Sequence, residues 1–593
     1  MAEDGSKKSI FTPLVCVVDF HHQRGPEIEH WIGAPEGSDP GEQNDWGLIP
    51  YMALPDGAHA STEEFSYFSL VHKASEGHDV EPISVFGMSC CQQIASSELL
   101  YRPEDVTRSA VQKSVVVITD KPQQFSALRE KMSVVTMAWF AQKDFRDLEI
   151  LQRFQESLLK QTGHEDDRDQ YFGLSLREIL HDYKWQALVL FKALLLQPKI
   201  LFFGSHCERI CQVQFTLISL VPGLIRALRD CADPQMDSYA ETLKQADGVR
   251  TSDRGSLLAY MGLPLQIFGK GSIFGPYTPL QQLDMLADYG TKSYIVGSTN
   301  SLLLQQKDRY ADLILHLDEK SLSIMSPSLR QALGLSTADR RWMDFLTQSV
   351  NDTWDESDPS RPKTHGYTGS EEFIRLQFEE YILALLSSTK YHKFLARQKP
   401  GEDPRALLAD VEGDPSNEFG SYFIEAWQET ENHKLWDKCT DSHIFDIVEP
   451  RHPCAGGLTI EDVQRRLAAQ VAELHLDERF ASTKETVNKR LADGQFRVTS
   501  AFNRVWSDIE VMREAQRKRA EDSRNEKATA TTDENQPPWR KSVDASTLVQ
   551  QQQQQQQQGE LRPNEEGRPR VTTVSELGKI NSQEPPSSRD EST

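Results

Sequence analysis

The alternation of apolar and polar positions near the start of the chain predicts a β-hairpin. Residues 15–18 are apolar β-formers, Gly25-Pro26 interrupts the pattern, and residues 28–31 resume it as an alternation. Three polar side chains occupy the turn between the two runs: His21, His22 and Arg24. Because a hairpin folds without these side chains, we mark them as candidate contacts of a partner.

The chain to about residue 159 continues with strand-like runs and ends in two helical patterns. The apolar runs at residues 65–70, 83–94 and 111–119 predict three more strands. Apolar residues then recur at helical spacing in residues 125–140 and 147–159. Consecutive strands followed by helices are typical of an α+β module built on an antiparallel sheet.

From residue 171 helices and strands alternate, which predicts a parallel or mixed sheet covered by helices. The predicted order is helix, strand, helix, strand, short helix and strand, at residues 175–197, 200–203, 206–220, 294–296, 301–306 and 313–317. Residues 226–255 are polar and lack a sustained apolar period. We therefore expect a mobile excursion there, between core elements.

Beyond residue 326 the pattern is helical. Residues 368–394 carry one broad apolar stripe, and Thr368 with Glu371 matches a capping box at its start. A heptad-like apolar pattern follows at residues 463–474 and 498–512. We expect this apolar face either to pack on the rest of the chain or to pair with another chain. After residue 521 the polar composition and a run of nine glutamines predict disorder.

The composition narrows the class of protein. Eight cysteines without a repeating spacing and a polar N-terminus without a signal peptide predict reduced thiols and a cytoplasmic location. The most apolar stretch, residues 187–203, is interrupted by Lys192 and is too short to span a bilayer. A formal charge of −24 disfavours nucleic acid and anionic lipid, so any membrane association is indirect or peripheral.

Motifs for covalent chemistry are weak throughout the sequence. Neither a Walker A motif nor a G-x-S-x-G elbow is present. The glycine-rich residues 269–275 are one residue too long for the dinucleotide fingerprint and favour close backbone approach over a phosphate cradle. Asp19 with His21 and His22 suggests acid/base catalysis, but adjacent strand residues point to opposite faces, which favours a structural or partner-contact role.

Two sets of residues have the side chains of a metal site without its spacing. Cys207 and Cys211 lie one helical turn apart, and no second pair accompanies them. The second set is Cys439, His443, His452 and Cys454. Buried thiols and surface histidines are the default interpretation of both sets. We predict no catalytic residue, no metal and no cofactor.

Four motifs in the first 119 residues carry a family resemblance. They are FHHQRGPEIE (residues 20–29), LPDGAH (54–59), FGMSCCQQI (86–94) and VQKSV (111–115). In this order they resemble the Avl (apl-vps-lethal) family of late-secretory-pathway proteins, a divergent branch of the DENN-domain superfamily. Further matching segments lie between residues 173 and 317, among them GLSLREILHDY and LISLVPGLI.

The resemblance implies a tripartite fold of class α/β plus α+β. The expected DENN architecture has a longin-like antiparallel lobe, a central α/β lobe, a helical downstream lobe, amphipathic helices and a disordered tail. These correspond to residues 1–162, 171–325, 326–456, 457–520 and 521–593.

The resemblance also implies a function in vesicle transport from the Golgi to the plasma membrane. The expected activity is guanine-nucleotide exchange on a Rab-type small GTPase, by a cytoplasmic protein associated peripherally with Golgi or secretory vesicles. Exchange requires differential binding and no covalent step. We expect the GTPase to dock at a cleft between the first two units. The candidate contacts are the polar turn residues His21, His22, Arg24 and Asp56.

The alternative function is that of a non-catalytic trafficking effector or scaffold. In that case the C-terminal helices of residues 457–520 and the glutamine-rich tail gather other trafficking proteins. A preference for the nucleotide-free or the GTP-bound GTPase separates the two functions.

Overall fold

The N-terminal strands form one antiparallel sheet in the order β2-β1-β5-β4-β3. The computed structural model of the chain describes residues 11–73, 81–104, 106–160, 173–250, 252–363, 366–397, 408, 411 and 413–455. The strands of this sheet are β1 (Leu14–His21), β2 (Gly25–Ile32), β3 (Glu63–His72), β4 (Ile83–Ala95) and β5 (Ala110–Thr119). The hairpin and the three further strands predicted from the sequence are thereby confirmed.

Both faces of the first sheet are buried. Alternate residues of each strand point to opposite faces, so neighbouring residues contact different layers. Val15 and Val17 of β1 face the helices α3 (Phe125–Ala141) and α4 (Glu149–Lys160), while Cys16 and Val18 face the other side. That other side is covered by Trp46 and by the short helices α1 (Pro40–Gln43) and α2 (Ile49–Ala53). The apolar run at the start of the chain therefore lacks the alternation of a half-exposed strand.

The middle of the chain forms a second, mixed sheet in the order β10-β9-β6-β8-β7. Strands β6 to β9 are parallel and β10 is antiparallel to β9. The strands are β6 (Lys199–Phe203), β7 (Ser272–Gly275), β8 (Ser293–Ser298), β9 (Leu313–His316) and β10 (Ser321–Ile324). The predicted alternation and the mixed sheet are confirmed, although β7 and β10 carry no sequence pattern strong enough to predict them.

Eight α-helices are described between the first sheet's module and the helical region. They are α5 (Leu176–Tyr183), α6 (Gln186–Leu196), α7 (Cys207–Ser219), α8 (Tyr239–Thr242), α9 (Arg254–Tyr260), α10 (Leu283–Ala287), α11 (Ser301–Gln305) and α12 (Lys307–Tyr310). The prediction of one continuous helix over residues 175–197 is wrong. Lys184 has a φ of 47°, a left-handed conformation that ends α5 before α6 begins.

The prediction of a mobile excursion at residues 226–255 is wrong for its first part. Leu228, Asp230 and Cys231 are buried, and the Asp230 carboxylate accepts hydrogen bonds from the Ser238 hydroxyl and the Tyr239 amide. The Ser84 hydroxyl of β4 accepts the amides of Cys231 and Ala232, each at 3.0 Å. This segment is polar because it hydrogen-bonds to the first sheet.

The remaining described helices are α13 (Pro327–Ala332), α14 (Thr337–Asn351), α15 (Glu371–Arg397), α16 (Ser421–Gln428) and α17 (Glu431–Cys439). The capping box predicted at Thr368 and Glu371 is wrong, because α15 begins at Glu371 and Ser370 accepts the amide of Phe373. The Glu371 carboxylate instead accepts the Ser175 hydroxyl at the start of α5. Ser175, the N-cap residue of α5, is thus hydrogen-bonded to the first residue of α15, and this contact joins the two helices.

A buried ion pair fastens the helical region to α6. Lys192 donates to the Asp339 carboxylate at 2.5 Å and to the Phe419 carbonyl at 2.7 Å, and both charged side chains are fully buried. Asp339 also accepts the Tyr381 hydroxyl at 2.8 Å and approaches His452 Nε2 at 3.3 Å. Burial alone raises the pKa of Asp339, but Lys192 and His452 outweigh it and lower that pKa to about 2.

The described residues form one compact unit of mixed α/β structure, with the antiparallel sheet first and helices downstream. Among them, no helix combines the length and apolar character needed to cross a membrane. The amphipathic helices predicted at 457–520 and the tail predicted at 521–593 lie outside the described residues. The predicted lobe boundaries remain predictions.

Replacing Lys192 with methionine should lower the free energy of unfolding by about 3–5 kcal/mol, because it leaves Asp339 buried without its cation. Thermal and urea unfolding at pH 7 measure this change. Lys434→Met is the matched control, since Lys434 is half exposed and pairs with an exposed Glu431; its effect should stay within about 0.5 kcal/mol. Equal stability of K192M and wild type would show that Asp339 can stay buried without its cation at no cost.

His433 should make stability depend on pH. It is buried beside Trp427 and Trp436, and burial lowers its pKa to about 4. The unfolded chain binds this proton near pH 6.5, so the free energy of unfolding falls by about 2 kcal/mol from pH 6.5 to pH 5. His433→Phe should remove this part of the decrease, whereas His59→Gln, at an exposed histidine, should not. Parallel pH profiles of wild type and H433F would contradict the assignment.

Candidate functional site on the shared rim of the two sheets

Three turns of the first sheet lie at the same end of that sheet. Asp19, Lys113, Gln92 and Glu63 pair in register across β1, β5, β4 and β3. The end of β1, the start of β5, the end of β4 and the start of β3 therefore share one edge of the sheet. The turns that meet there are residues 22–24, residues 54–62 and the connection from β4 to β5, which the structure describes at 96–104 and 106–109.

The second sheet presents its carboxyl ends at this same edge. Strands β3 and β7 run side by side in opposite directions, because the Tyr277 amide donates to the Tyr67 carbonyl at 2.8 Å and the Ser69 hydroxyl donates to the Phe274 carbonyl. The middle of β3 thus lies beside the end of β7, the start of β3 points the same way as that end, and β6, β8 and β9 run parallel to β7. Ligands of parallel α/β sheets bind at the carboxyl ends of the strands.

We call this edge the loop rim. It consists of the turns of the first sheet given above and of the loops that follow the parallel strands, at residues 204–206, 276–279, 299–300 and 317–320. Of the residues predicted as partner contacts, His22, Arg24 and Asp56 lie on it, and the buried His21 is the last residue of β1 beside it. Sequence reasoning missed Tyr277, Thr299 and Asn300, since only the pairing of β3 with β7 brings them next to Asp56.

Asp56 fastens the two sheets together at the middle of the rim. Its amide donates to the Tyr277 hydroxyl at 3.0 Å, and its carbonyl accepts the Thr299 hydroxyl at 2.9 Å. Its carboxylate accepts the Asn300 side-chain amide at 2.7 Å and remains exposed. Gly57 follows with a φ of 91°, a left-handed conformation that favours glycine in this turn. The junction is therefore a hydrogen-bonded surface with an accessible carboxylate.

His21 holds the turn of the hairpin from inside. Its side chain is buried, and its Nδ1 accepts the backbone amides of Gln23 at 3.2 Å and Arg24 at 3.0 Å. Nδ1 is thus unprotonated and the proton of the neutral ring is on Nε2. The structure gives His21 a structural role in forming the turn, and its part in partner contact remains a prediction.

His22 and Arg24 lie on the outer side of the hairpin. The Nδ1 atom of His22 accepts the amides of Thr107 at 2.9 Å and Arg108 at 3.1 Å, which ties the hairpin to the loop between β4 and β5. Arg24 pairs with Glu27, and this hydrogen bond lowers the pKa of the Glu27 carboxyl. His21 and His22 lie in different surroundings, as their adjacent strand positions predict.

The start of α7, at the rim, already binds a carboxylate of the same chain, that of Glu64. The Glu208 amide donates to the carboxylate of the buried Glu64 at 3.1 Å, and the Glu208 side chain pairs with Arg129. In the glycine-rich segment, Gly275 ends β7, and a Cβ there would lie 2.6 Å from the Thr278 hydroxyl. A Cβ at Gly271 would lie 3.1 Å from the Gly290 carbonyl, so the interpretation as a close backbone approach is confirmed at this glycine.

The residues considered above as possible metal ligands make other contacts in the structure. Cys207 and Cys211 are buried on α7, and burial raises the pKa of the Cys207 thiol. His452 contacts Asp339 through Nε2 and accepts the Cys454 amide on Nδ1. His443 Nδ1 lies 2.9 Å from the Ser442 hydroxyl, at hydrogen-bond distance. Within the described part of the chain, no group of three or more histidine, cysteine or acidic side chains is arranged to hold a metal ion.

Comparison with known proteins identifies the family of the chain. Residues 12–389, more than half of the chain, match the family model described as "Transport protein Avl9". The chain belongs to this family. The match includes the first sheet, the second sheet and most of α15, so every loop of the rim lies within it.

Two curated relatives cover most of the chain. The "Late secretory pathway protein AVL9" of Saccharomyces cerevisiae is 38% identical over 475 residues, which are 77% of this chain and 62% of that protein. The "Late secretory pathway protein avl9" of Schizosaccharomyces pombe is 35% identical over 499 residues, 84% of this chain and 98% of that protein. The chain thus spans less than two thirds of the first relative and almost all of the second, and the family resemblance of the four motifs is confirmed.

Replacing His22 with alanine should loosen the loop between β4 and β5. The amides of Thr107 and Arg108 lose their acceptor, so their hydrogen exchange should accelerate by about tenfold, the equivalent of about one hydrogen bond. Hydrogen–deuterium exchange at neutral pH measures this effect. His59→Ala, an exposed histidine on the same rim, is the control. Unchanged exchange at residues 107 and 108 in H22A would show that the ring does not hold the loop.

Proposed function

We propose that the protein is a DENN-type guanine-nucleotide exchange factor for a Rab-type small GTPase in transport from the Golgi to the plasma membrane. The observation that carries the proposal is the loop rim, on which three of the four predicted contact residues, His22, Arg24 and Asp56, lie together with the carboxyl ends of parallel strands. The names of the two relatives support a role in the late secretory pathway.

The arrangement of two sheets and a helical region supports the DENN interpretation. An antiparallel sheet covered by α3 and α4 precedes a mixed sheet, and the helices α13 to α17 follow. This order corresponds to the longin-like, central and downstream lobes expected from the resemblance. The protein would act from the cytoplasm, associated peripherally with Golgi or secretory-vesicle membranes.

The size of the rim suits a protein partner. The hairpin on β1 and the start of β3 are three strand intervals apart, about 14 Å at about 4.8 Å each. A standard interface buries about 800 Å² on each partner and is therefore about 28 Å across. One GTPase can thus contact the hairpin and Asp56 at the same time.

Exchange on this surface requires no acid or base. A factor that binds the nucleotide-free GTPase more tightly than the nucleotide-bound form weakens nucleotide binding by the same free energy. The hydrogen bonds of Asp56 to Tyr277, Thr299 and Asn300 hold the rim rigid, which reduces the entropy lost on docking. A rigid docking surface is what this mechanism needs.

The direct test is release of mant-GDP from a panel of secretory Rab proteins. Micromolar protein should accelerate release from at least one of them, and Asp56→Arg should slow the exchange by about tenfold or more, because it reverses the charge at the centre of the rim. Tyr289→Arg is the control: Tyr289 is fully exposed and precedes β8, at the opposite end of the sheet. Absence of acceleration with every Rab protein would reject the proposal.

A pulldown separates exchange factor from effector. An exchange factor retains nucleotide-free Rab protein better than GTP-locked protein, whereas an effector has the reverse preference. The scaffold alternative depends on residues 457–520 and the tail. A chain ending at residue 455 should keep its exchange activity under the proposal, because the rim lies within residues 20–320.

A further inference from the structure

Two large apolar side chains project from the loop rim at the connection between β4 and β5. Leu100 is 77% exposed and Tyr101 is 49% exposed, although most large apolar side chains of the two sheets are buried. Both lie in the same connection as Thr107 and Arg108, which His22 ties to the hairpin. This tip is therefore continuous with the predicted contact residues of the hairpin.

The tip is held in place despite its exposure. The Leu100 amide donates to the Lys143 carbonyl at 2.8 Å, and Lys143 pairs with Glu98 at 2.9 Å. The Arg146 guanidinium lies 4.0 Å from the centre of the Tyr101 ring and is itself held by Asp144 at 2.6 Å. An exposed apolar group on an anchored backbone loses little conformational entropy when a partner covers it.

Two arginines flank the tip. Arg102 donates to the Val106 carbonyl at 2.6 Å, and the Arg108 guanidinium lies 5.0 Å from the centre of the Phe20 ring. Within the described residues neither guanidinium forms an ion pair with a carboxylate. Tyrosine and arginine are the residue types enriched in the energetic centres of protein interfaces.

The local charge favours a protein partner over a lipid surface. Glu98 and Glu104 lie in the same connection, and Asp144 accompanies Arg146 beside it. A patch that binds anionic lipid gains its affinity from clustered lysine and arginine without such acidic neighbours. A folded partner can place apolar side chains on the tip and carboxylates opposite the two arginines.

We propose that Leu100 and Tyr101 are the apolar anchor of the docked small GTPase, with Arg102 and Arg108 facing carboxylates of that GTPase. The inference rests on the proposed function and adds to it the residues that supply most of the binding. The hairpin contributes by positioning the tip through His22.

The test compares Leu100→Ala/Tyr101→Ala with wild type, using the full chain and the Rab protein on which wild type is active. Binding of the nucleotide-free Rab protein should weaken by about thirtyfold, the usual loss at an interface hot spot, and exchange should slow in parallel. Tyr289→Ala removes a fully exposed tyrosine at the far end of the second sheet and should leave both unchanged. Unchanged melting of the double variant shows that it is folded.

Arg102→Gln/Arg108→Gln provides the second variant. It should weaken binding at low salt and reduce the dependence of binding on ionic strength, because two charge pairs are removed. If wild type exchanges nucleotide and both double variants do so equally well, the anchor is overturned while the proposed function stands.

Two other outcomes also overturn the inference. If wild type acts on no Rab protein, the proposed function fails and the anchor fails with it. If L100A/Y101A keeps its Rab binding but no longer sediments with phosphatidylserine vesicles that wild type binds, the tip is a membrane contact.

Discussion

The side-by-side contact of β3 with β7 is the constraint on which the rim depends. Tyr277 donates to Tyr67 across this contact, and Ser69 donates to Phe274. Since the two strands run in opposite directions, the turns of an antiparallel sheet and the carboxyl ends of a parallel sheet meet at one edge. The contact also covers an edge of each sheet, and exposed edges are sites of unwanted pairing.

A buried ion pair joins the helical region to α6, and its apolar surroundings make the loss of either charge costly. Lys192 interrupts the otherwise apolar helix α6, and its partner Asp339 lies on α14. A buried pair gains little net free energy, yet removal of either partner leaves an uncompensated charge. The pair therefore disfavours any packing of the helices against α6 that separates the two charges.

The sequence predicted most strands and helices of the described residues, and its failures have identifiable causes. Helix 175–197 divides at Lys184, whose left-handed backbone conformation ends α5. The polar segment around Asp230 is ordered because Ser84, 147 residues away from Cys231, accepts its amides. The capping box failed because Glu371 binds the start of α5. The last two causes are contacts between residues far apart in sequence, which local patterns cannot contain.

The sequence by itself determined the family, the hairpin and its polar turn, and the change from consecutive strands to alternating helices and strands. These follow from local apolar periodicity and from motifs of contiguous residues. Only the tertiary structure decided that the hairpin, Asp56 and the loops after β7 and β8 share one rim, and that Leu100 and Tyr101 project from it. The physical reason is that strand direction and sheet order are set by long-range hydrogen bonds and two-sided burial, which no short stretch of sequence specifies.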